Sequence, residues 1–407
     1  MKRTLTSSFL VSISLLVGGC NFFFGEKGSA VTDEIFEQGK IDPRLIPSSI
    51  GYVPVQPFFN GFSNPKDVYV GYDEMIYVID DIGVHVLDKA GRRVRSFNVP
   101  GATDIIQDRR LHTYIAGRVQ INSGQLYEVA AIYHVINTAT ASGPVFLDTI
   151  IHPYSDASRK FTAFRGMDDV AVEFTGLATL YDNTLLVSRR GPNNSSSSVA
   201  YPDNTILFFD QSGNNTGYTN GLNPSSPSIR SSYNINGIAS FAAPPQRVFG
   251  ISTSRDFFIT QYDPINPVEF GVIGIRHQFD PDFGTIYDGR TDLLLFDTSR
   301  ATRFLYESFR FKKPEDIYIA PDQNQYLFVV DSGTDSLYQF TPSGYEGANP
   351  PANFADKKQI IVSFGGEGSG PFNFNDPVSV CYNNRLIYVA DRGNGRICRY
   401  KLSTDIE

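Results

Sequence analysis

Imidazole is the side chain that most often ligates a metal or moves a proton near neutral pH, so the histidines come first. Five occur, His85, His112, His134, His152 and His277. They fall in different segments with no metal-ligand spacing, and the expectation is solvated or locally paired rings. Arg189-Arg190 lies on a turn between two apolar runs, where two guanidinium groups could meet an anionic ligand. Asp80, Asp331 and Asp391 each close a short apolar run and precede a turn. Their expected role is structural, with each carboxylate accepting backbone N–H groups of the following turn. The sequence contains no HExxH, no GxSxG elbow, no phosphate-binding glycine loop and no EF-hand. These residues therefore assign no cofactor, no metal ligand and no catalytic group.

The elements that position these side chains are short strands. The run Asn64-Pro-Lys-Asp-Val-Tyr-Val70 is followed by Met75–Asp80, Gly83–Asp88 and Arg93–Phe97. Each is rich in β-branched and aromatic residues and is bounded by Gly, Asp or Asn. The pattern returns from Lys313-Pro314, with Gln359–Phe364 as the outer strand of that copy, and again from Asp376-Pro377 to Tyr400. Lined up, the copies give Pro-x-x-(Val/Ile), then (Ile/Leu)-(Tyr/Phe)-Val-x-Asp, then an aliphatic–aromatic strand. Near-continuous apolar inner strands imply burial on both faces. Weaker copies can be drawn over 103–150, 176–218 and 237–309, the last with Phe304–Phe309 as its outer strand and 280–300 as a long excursion. A polar insertion, Gly191–Ser198, interrupts the second of these.

The run Tyr388-Val-Ala-Asp-Arg-Gly-Asn-Gly-Arg-Ile397 resembles the NHL-repeat β-propeller family. The resemblance is clearest at 64–97, 313–364 and 376–400. It implies four-stranded antiparallel blades arranged radially about a central channel. With the weaker copies the count is six, so the expected fold is an all-β, six-bladed β-propeller. The last copy has three strands and stops, whereas Gly51–Phe59 precedes the first copy without a partner. That N-terminal segment is expected to supply the missing outer strand, where its prolines are tolerated as on any edge. At about 60 residues per blade the chain exceeds the ~40–50 of compact propellers, and the excess lies in loops. Cys381 and Cys398 would then lie two strands apart, roughly 9.6 Å, beyond the ~7 Å reach of a disulfide. Two free, buried thiols are expected.

The chain has 35 Lys plus Arg against 43 Asp plus Glu, with no basic stripe, and nucleic acid is not an expected partner. Met1-Lys-Arg3, the apolar Phe9–Val17 and Gly18-Gly-Cys20 read as an export leader too short to span a bilayer. Leu16–Cys20 resembles a bacterial lipobox, which implies cleavage after Gly19 and diacylglycerol on Cys20. The expected organisation is a lipoprotein signal peptide over 1–19, a flexible tether over 20–49 and the propeller over 50–407. Asn21 in place of Asp leans towards the outer membrane of a bacterial cell envelope. The expected function is a lipid-anchored, non-enzymatic binding or scaffold module for a protein or glycan. The alternative implied by the resemblance is a metal-dependent propeller enzyme of lyase, lactonase or hydrolase type. Calcium or zinc in the central channel belongs only to that alternative.

Overall fold

The computed structural model describes residues 39–156, 164–194, 203–219, 234–244, 250, 252–265, 267–282 and 284–406. The leader, Cys20, the first part of the tether and residues 195–198 of the insertion lie outside the described residues.

Six antiparallel sheets stand in a ring, and the chain builds each from its inner strand outwards. The first blade is β4 (Asp67–Val70), β5 (Ile76–Ile79), β6 (Val84–Leu87) and β7 (Arg93–Phe97). The second is β8 (Asp104–Gln107), β9 (Thr113–Asn122), β10 (Leu126–Ile136) and β11 (Val145–Ile151). The third is β12 (Glu173–Thr179), β13 (Leu185–Arg190), β14 (Thr205–Phe209) and β15 (Asn215–Thr219). The fourth holds β16 (Ile235–Ser240), β17 (Phe257–Gln261), β18 (Val272–Asp280) and β19 (Gly284–Gly289). The fifth holds β20 (Pro314–Ile319), β21 (Leu327–Asp331), β22 (Ser336–Phe340) and the short β23 (Phe364–Gly365). The sixth begins with β24 (Pro377–Asn383), β25 (Leu386–Asp391) and β26 (Arg396–Leu402).

Closure comes from the N-terminal side. β2 (Tyr52–Gln56) pairs antiparallel with β26, Tyr52 opposite Leu402 and Pro54 opposite Tyr400. β3 (Phe59–Asn60) continues along the same edge opposite Ile397 and Arg396. The two ends of the propeller thus share one sheet, and no blade is left short of an outer strand. Residues 40 and 41 depart from the expected tether. They form β1 (Lys40–Ile41), which pairs with Val55 and Gln56, so the folded part takes in residues that the expected boundary at 50 left outside it.

The core lies between blades. Strands such as β5, β13 and β14 are buried almost throughout because neighbouring blades cover both faces. Tyr114, Ile132, Phe174 and Leu207 fill the second interface, and Leu186, Phe208, Phe257 and Ile275 the third. Phe258, Tyr306, Phe311, Leu327 and Phe340 fill the fourth. A larger cluster joins the fifth, sixth and first blades and takes in Tyr52, Phe59 and Tyr400 of the seam.

Two strand assignments are corrected. The outer strand of the fourth blade is not Phe304–Phe309 but β19, inside the segment expected to be an excursion. β18 runs on to Asp280 and doubles back at once, with Asp280 opposite Gly284. Phe304, Leu305 and Tyr306 are apolar because they plug the fourth interface as a turn, where the Tyr306 hydroxyl accepts the Gly274 N–H at 2.8 Å. In the fifth blade, Gln359–Ser363 do not extend the outer strand. Ile360 bridges Ala348 instead, and only Phe364 and Gly365 pair with β22.

Candidate functional site

The mouth of the channel is built by two sets of loops, those entering each inner strand and those joining each second strand to the third. The three aspartates closing second strands tie these sets together. Asp80 accepts the Ser63 N–H at 3.0 Å, the Ile82 N–H at 2.8 Å, and the N–H of Gly83 at 3.1 Å. Its Oδ1 also lies 2.8 Å from His85 Nε2. Asp331 accepts Lys312 N–H at 2.8 Å and Lys313 and Gly333 N–H at 2.9 Å. Asp391 accepts Asn375 N–H at 2.7 Å, the Asn394 amide at 2.8 Å and Arg396 Nε–H at 2.7 Å. Ser63, Lys312 and Asn375 occupy the same place in their repeats, two residues before the proline. Each carboxylate is thus a clasp between its own turn and the loop feeding its blade. Burial opposes the Asp80 charge, but the donated hydrogen bonds outweigh it and hold its pKa below the usual carboxylate value.

These loops frame a cavity of about 710 Å³, to which all six blades contribute. Its wall carries Lys66, Arg118, Arg190 and Arg392 against Asp81, Glu173, Glu315 and Asp376, so its charges balance. Lys66 meets Asp81 at 3.0 Å, and Arg392 meets Asp376 at 2.6 Å. Arg190 pairs with Glu173 and donates to the side-chain amide oxygen Oδ1 of Asn236 at 2.6 Å, and the Asn236 amide donates onward to Glu315 at 3.3 Å. One polar chain therefore runs across the rims of the third, fourth and fifth blades. Arg118 links the second blade to the third by donating to the Val170 carbonyl at 2.6 Å. Phe174 and Val378 add apolar surface to the same wall.

Below the mouth the channel narrows to about 50 Å³, lined by Asp67, Asp104 and Asp316 with Tyr69, Ile106 and Tyr318. The Asp67 carboxylate accepts Ile105 N–H of the next blade at 2.8 Å and the Ser379 hydroxyl of the previous blade at 2.6 Å. Asp316 accepts Val380 N–H of the next blade at 2.9 Å and its neighbour Ile317 N–H at 2.8 Å. Ser379 passes the pattern on, its hydroxyl oxygen accepting Val68 N–H at 3.2 Å. At this level the third and fourth blades carry Gly176 and Gly237. A Cβ on Gly237 would stand 2.6 Å from Asp316 Oδ1 and 2.8 Å from its Cα. Burial raises Asp67 to about 6, and burial with the Asp67 charge raises Asp316 to about 7. Asp104 is pushed up well above the usual range by burial and then by Asp67 and Asp316.

The residues singled out in sequence are scattered. Arg189 is not on a turn but in β13, fully buried, bonded to Asp156 and donating to the Asp203 carbonyl at 2.8 Å, so it is closed to a ligand. Arg190 does reach the mouth. His112 and His134 belong to one blade after all, because the β8–β9 turn returns His112 to the face of β10. Cys381 and Cys398 are free and buried on β24 and β26, with β25 between them. Asp67, Asp104 and Asp316 were not foreseen. The signal available was Pro-x-Asp, present at Pro65-Lys-Asp67 and Pro314-Glu-Asp316.

One blade is matched by a family model. Residues 374–400 match the family model described as the NHL repeat. The chain carries an NHL repeat. That repeat covers β24 and β25 and reaches into β26, and its Asp391 clasp recurs at Asp80 and Asp331. No curated protein matches the chain. Among solved structures, an auxiliary nutrient binding protein from Bacteroides thetaiotaomicron is 11% identical, with 90% of this chain and 75% of that one covered and a TM-score of 0.48. A gluconolactonase from Xanthomonas campestris is 9% identical, with coverages of 90% and 94% and a TM-score of 0.47. The PQQ-bound aldose sugar dehydrogenase of Streptomyces coelicolor is 12% identical, with coverages of 88% and 99% and a TM-score of 0.47.

Proposed function

We propose that this chain is a lipid-anchored protein of the bacterial cell envelope, at the outer membrane, whose propeller binds a glycan at the mouth of its channel. The observation that carries the binding role is the six-blade cavity of about 710 Å³ with its charge-balanced wall. That volume lies in the range of ligand-binding clefts, and it sits on the loops of a rigid scaffold. Four cations against four carboxylates leave no net field to select an ion. Their pairing with amides and an aromatic edge instead presents donors and acceptors side by side. A neutral, hydroxyl-rich ligand answers both kinds of group. A protein ligand is the other occupant of the same mouth.

Anchoring rests on the lipobox-like Leu16–Cys20. Acyl chains on Cys20 bury methylenes at about 0.8 kcal/mol each, and several chains make a durable anchor. Labelling with an alkyne fatty acid should mark the wild-type chain and not Cys20→Ser. Unlabelled wild-type protein would remove the anchor from the proposal.

The enzymatic alternative has one feature in its favour, the convergence of Asp67, Asp104 and Asp316. The donor set fits a cation poorly. Both oxygens of Asp67 and of Asp316 are already taken by N–H and O–H donors that stitch neighbouring blades. Metal analysis of purified protein separates the two cases, since stoichiometric calcium or zinc lost in Asp316→Asn would favour the enzyme. For the binding role, a leaderless Cys20→Ser chain should be titrated calorimetrically with envelope oligosaccharides and then with envelope proteins. Saturable glycan binding, weakened at least tenfold in Arg190→Ala/Arg392→Ala, is the expected result. Binding confined to proteins would replace the glycan, and ligands insensitive to the double variant would overturn the mouth as the site.

A further inference from the structure

At the end of the second blade away from the mouth, two imidazoles face each other. His112 closes the β8–β9 turn, and its N–H donates to Asp108 Oδ1 at 3.0 Å, which sets its backbone. His134 stands opposite Tyr114 in the β9–β10 ladder, so His112 lies diagonally across the same face. His112 Nδ1 is 2.7 Å from His134 Nε2. On its other side His134 Nδ1 is 3.0 Å from Asp148 Oδ2, and its ring stacks on Tyr114 at 4.7 Å. The nearest cation along the chain is Arg110, two residues before His112. Arg110 itself is occupied by Asp108 at 2.7 Å and the Tyr114 hydroxyl at 2.9 Å.

We propose that His112 and His134 form a binding site for a divalent transition-metal ion of the zinc and copper class. Asp148 accepts the Nδ1–H of His134, which leaves the Nε2 lone pair of that ring aimed at His112. A carboxylate behind a ligating imidazole is the usual way such a ligand is oriented and made more basic. Without metal the gap holds a single proton, carried by His112 Nδ1. Metal entry moves that proton to His112 Nε2 on the solvent side, so both rings stay neutral and no proton is lost. A tetrahedral ion with metal–nitrogen bonds of about 2.0–2.1 Å sets its two nitrogens roughly 3.3 Å apart. The rings must therefore part by about 0.6 Å. His134 is buried and held by Asp148, whereas His112 is only partly buried on a turn and supplies the movement. Among the described residues no three His, Cys, Asp or Glu side chains gather around one point, so water completes the coordination and the ion is exchangeable. Imidazole donors exclude calcium and magnesium, and copper should bind more tightly than zinc or nickel.

The test is a titration of the untagged Cys20→Ser chain with Cu²⁺, followed by electron paramagnetic resonance. One copper per chain with superhyperfine lines of two imidazole nitrogens is expected. His112→Ala should abolish that signal while keeping the wild-type melting temperature in metal-free buffer, and His277→Ala should leave it intact. A two-nitrogen signal that survives His112→Ala, or the lack of stoichiometric copper in the folded wild-type chain, would overturn the site.

Discussion

At the residue scale, the three channel aspartates make a pH-dependent prediction. A carboxyl whose folded pKa lies above its ordinary value binds more protons in the native state than in the unfolded one. Its contribution to stability is then complete at low pH and is lost as pH rises from about 4 to about 7. Other groups titrate in that window, His112 and His277 with the opposite sign because burial lowers both. The difference between wild type and Asp316→Asn isolates the effect. The asparagine variant should gain melting temperature relative to wild type between pH 5 and pH 8, and a difference constant with pH would refute a raised Asp316. The two thiols are a second case. Burial pushes Cys381 up to about 12 and Cys398 higher still, so neither should react with a disulfide reagent in native buffer. Denaturant should expose two thiols in the Cys20→Ser chain, and none would indicate a bond between them.

At the scale of the element, the close approach of the inner strands explains why two blades carry glycine where others carry aspartate or serine. Gly237 makes room for the Asp316 carboxylate and for the backbone at Glu315, which cannot swing aside. Gly237→Ala should therefore cost roughly 1–3 kcal/mol by overpacking, measured by denaturant unfolding. A neutral result would mean that the fourth and fifth inner strands can part. The seam gives the complementary prediction. Removing residues through Asn60 strips β26 of the strands along its outer edge. Amide exchange of Arg396–Leu402 should then rise steeply, since exposed ladder groups lose protection. Unchanged protection would show that β2 and β3 do not hold the ring shut.

For the whole molecule, the closed ring fixes where each loop can point. Loops entering inner strands and loops after second strands converge at one end, and that end holds the six-blade cavity. The opposite end of the second blade holds the imidazole pair. The two sites share no residue, so ligand at the mouth and metal at His112 should bind additively.

The repeat is legible along the chain. Short apolar strands ending in Asp, preceded by Pro and separated by tight turns, can bury both faces only between similar sheets. That logic yields six blades, and the unpartnered strands at the two ends yield the seam. It also carried the turn role of Asp80 and Asp331, whereas Asp391 holds its turn through the side chains of Asn394 and Arg396 and takes no backbone N–H from it. Local pattern failed where apolar residues serve packing without pairing. Phe304–Phe309 looks like a strand but is a plug, because burial between blades demands the same side chains as a ladder. The sites, by contrast, come from the closed ring. The mouth draws single residues from segments hundreds of positions apart, and the charges of Arg190, Glu173, Asn236 and Glu315 acquire meaning only when curvature brings their loops together. Asp67 and Asp316 follow a proline in each copy, yet their raised pKa values arise first from burial in a closed channel and, at Asp316, from the facing Asp67 charge, neither of which any spacing along the chain encodes.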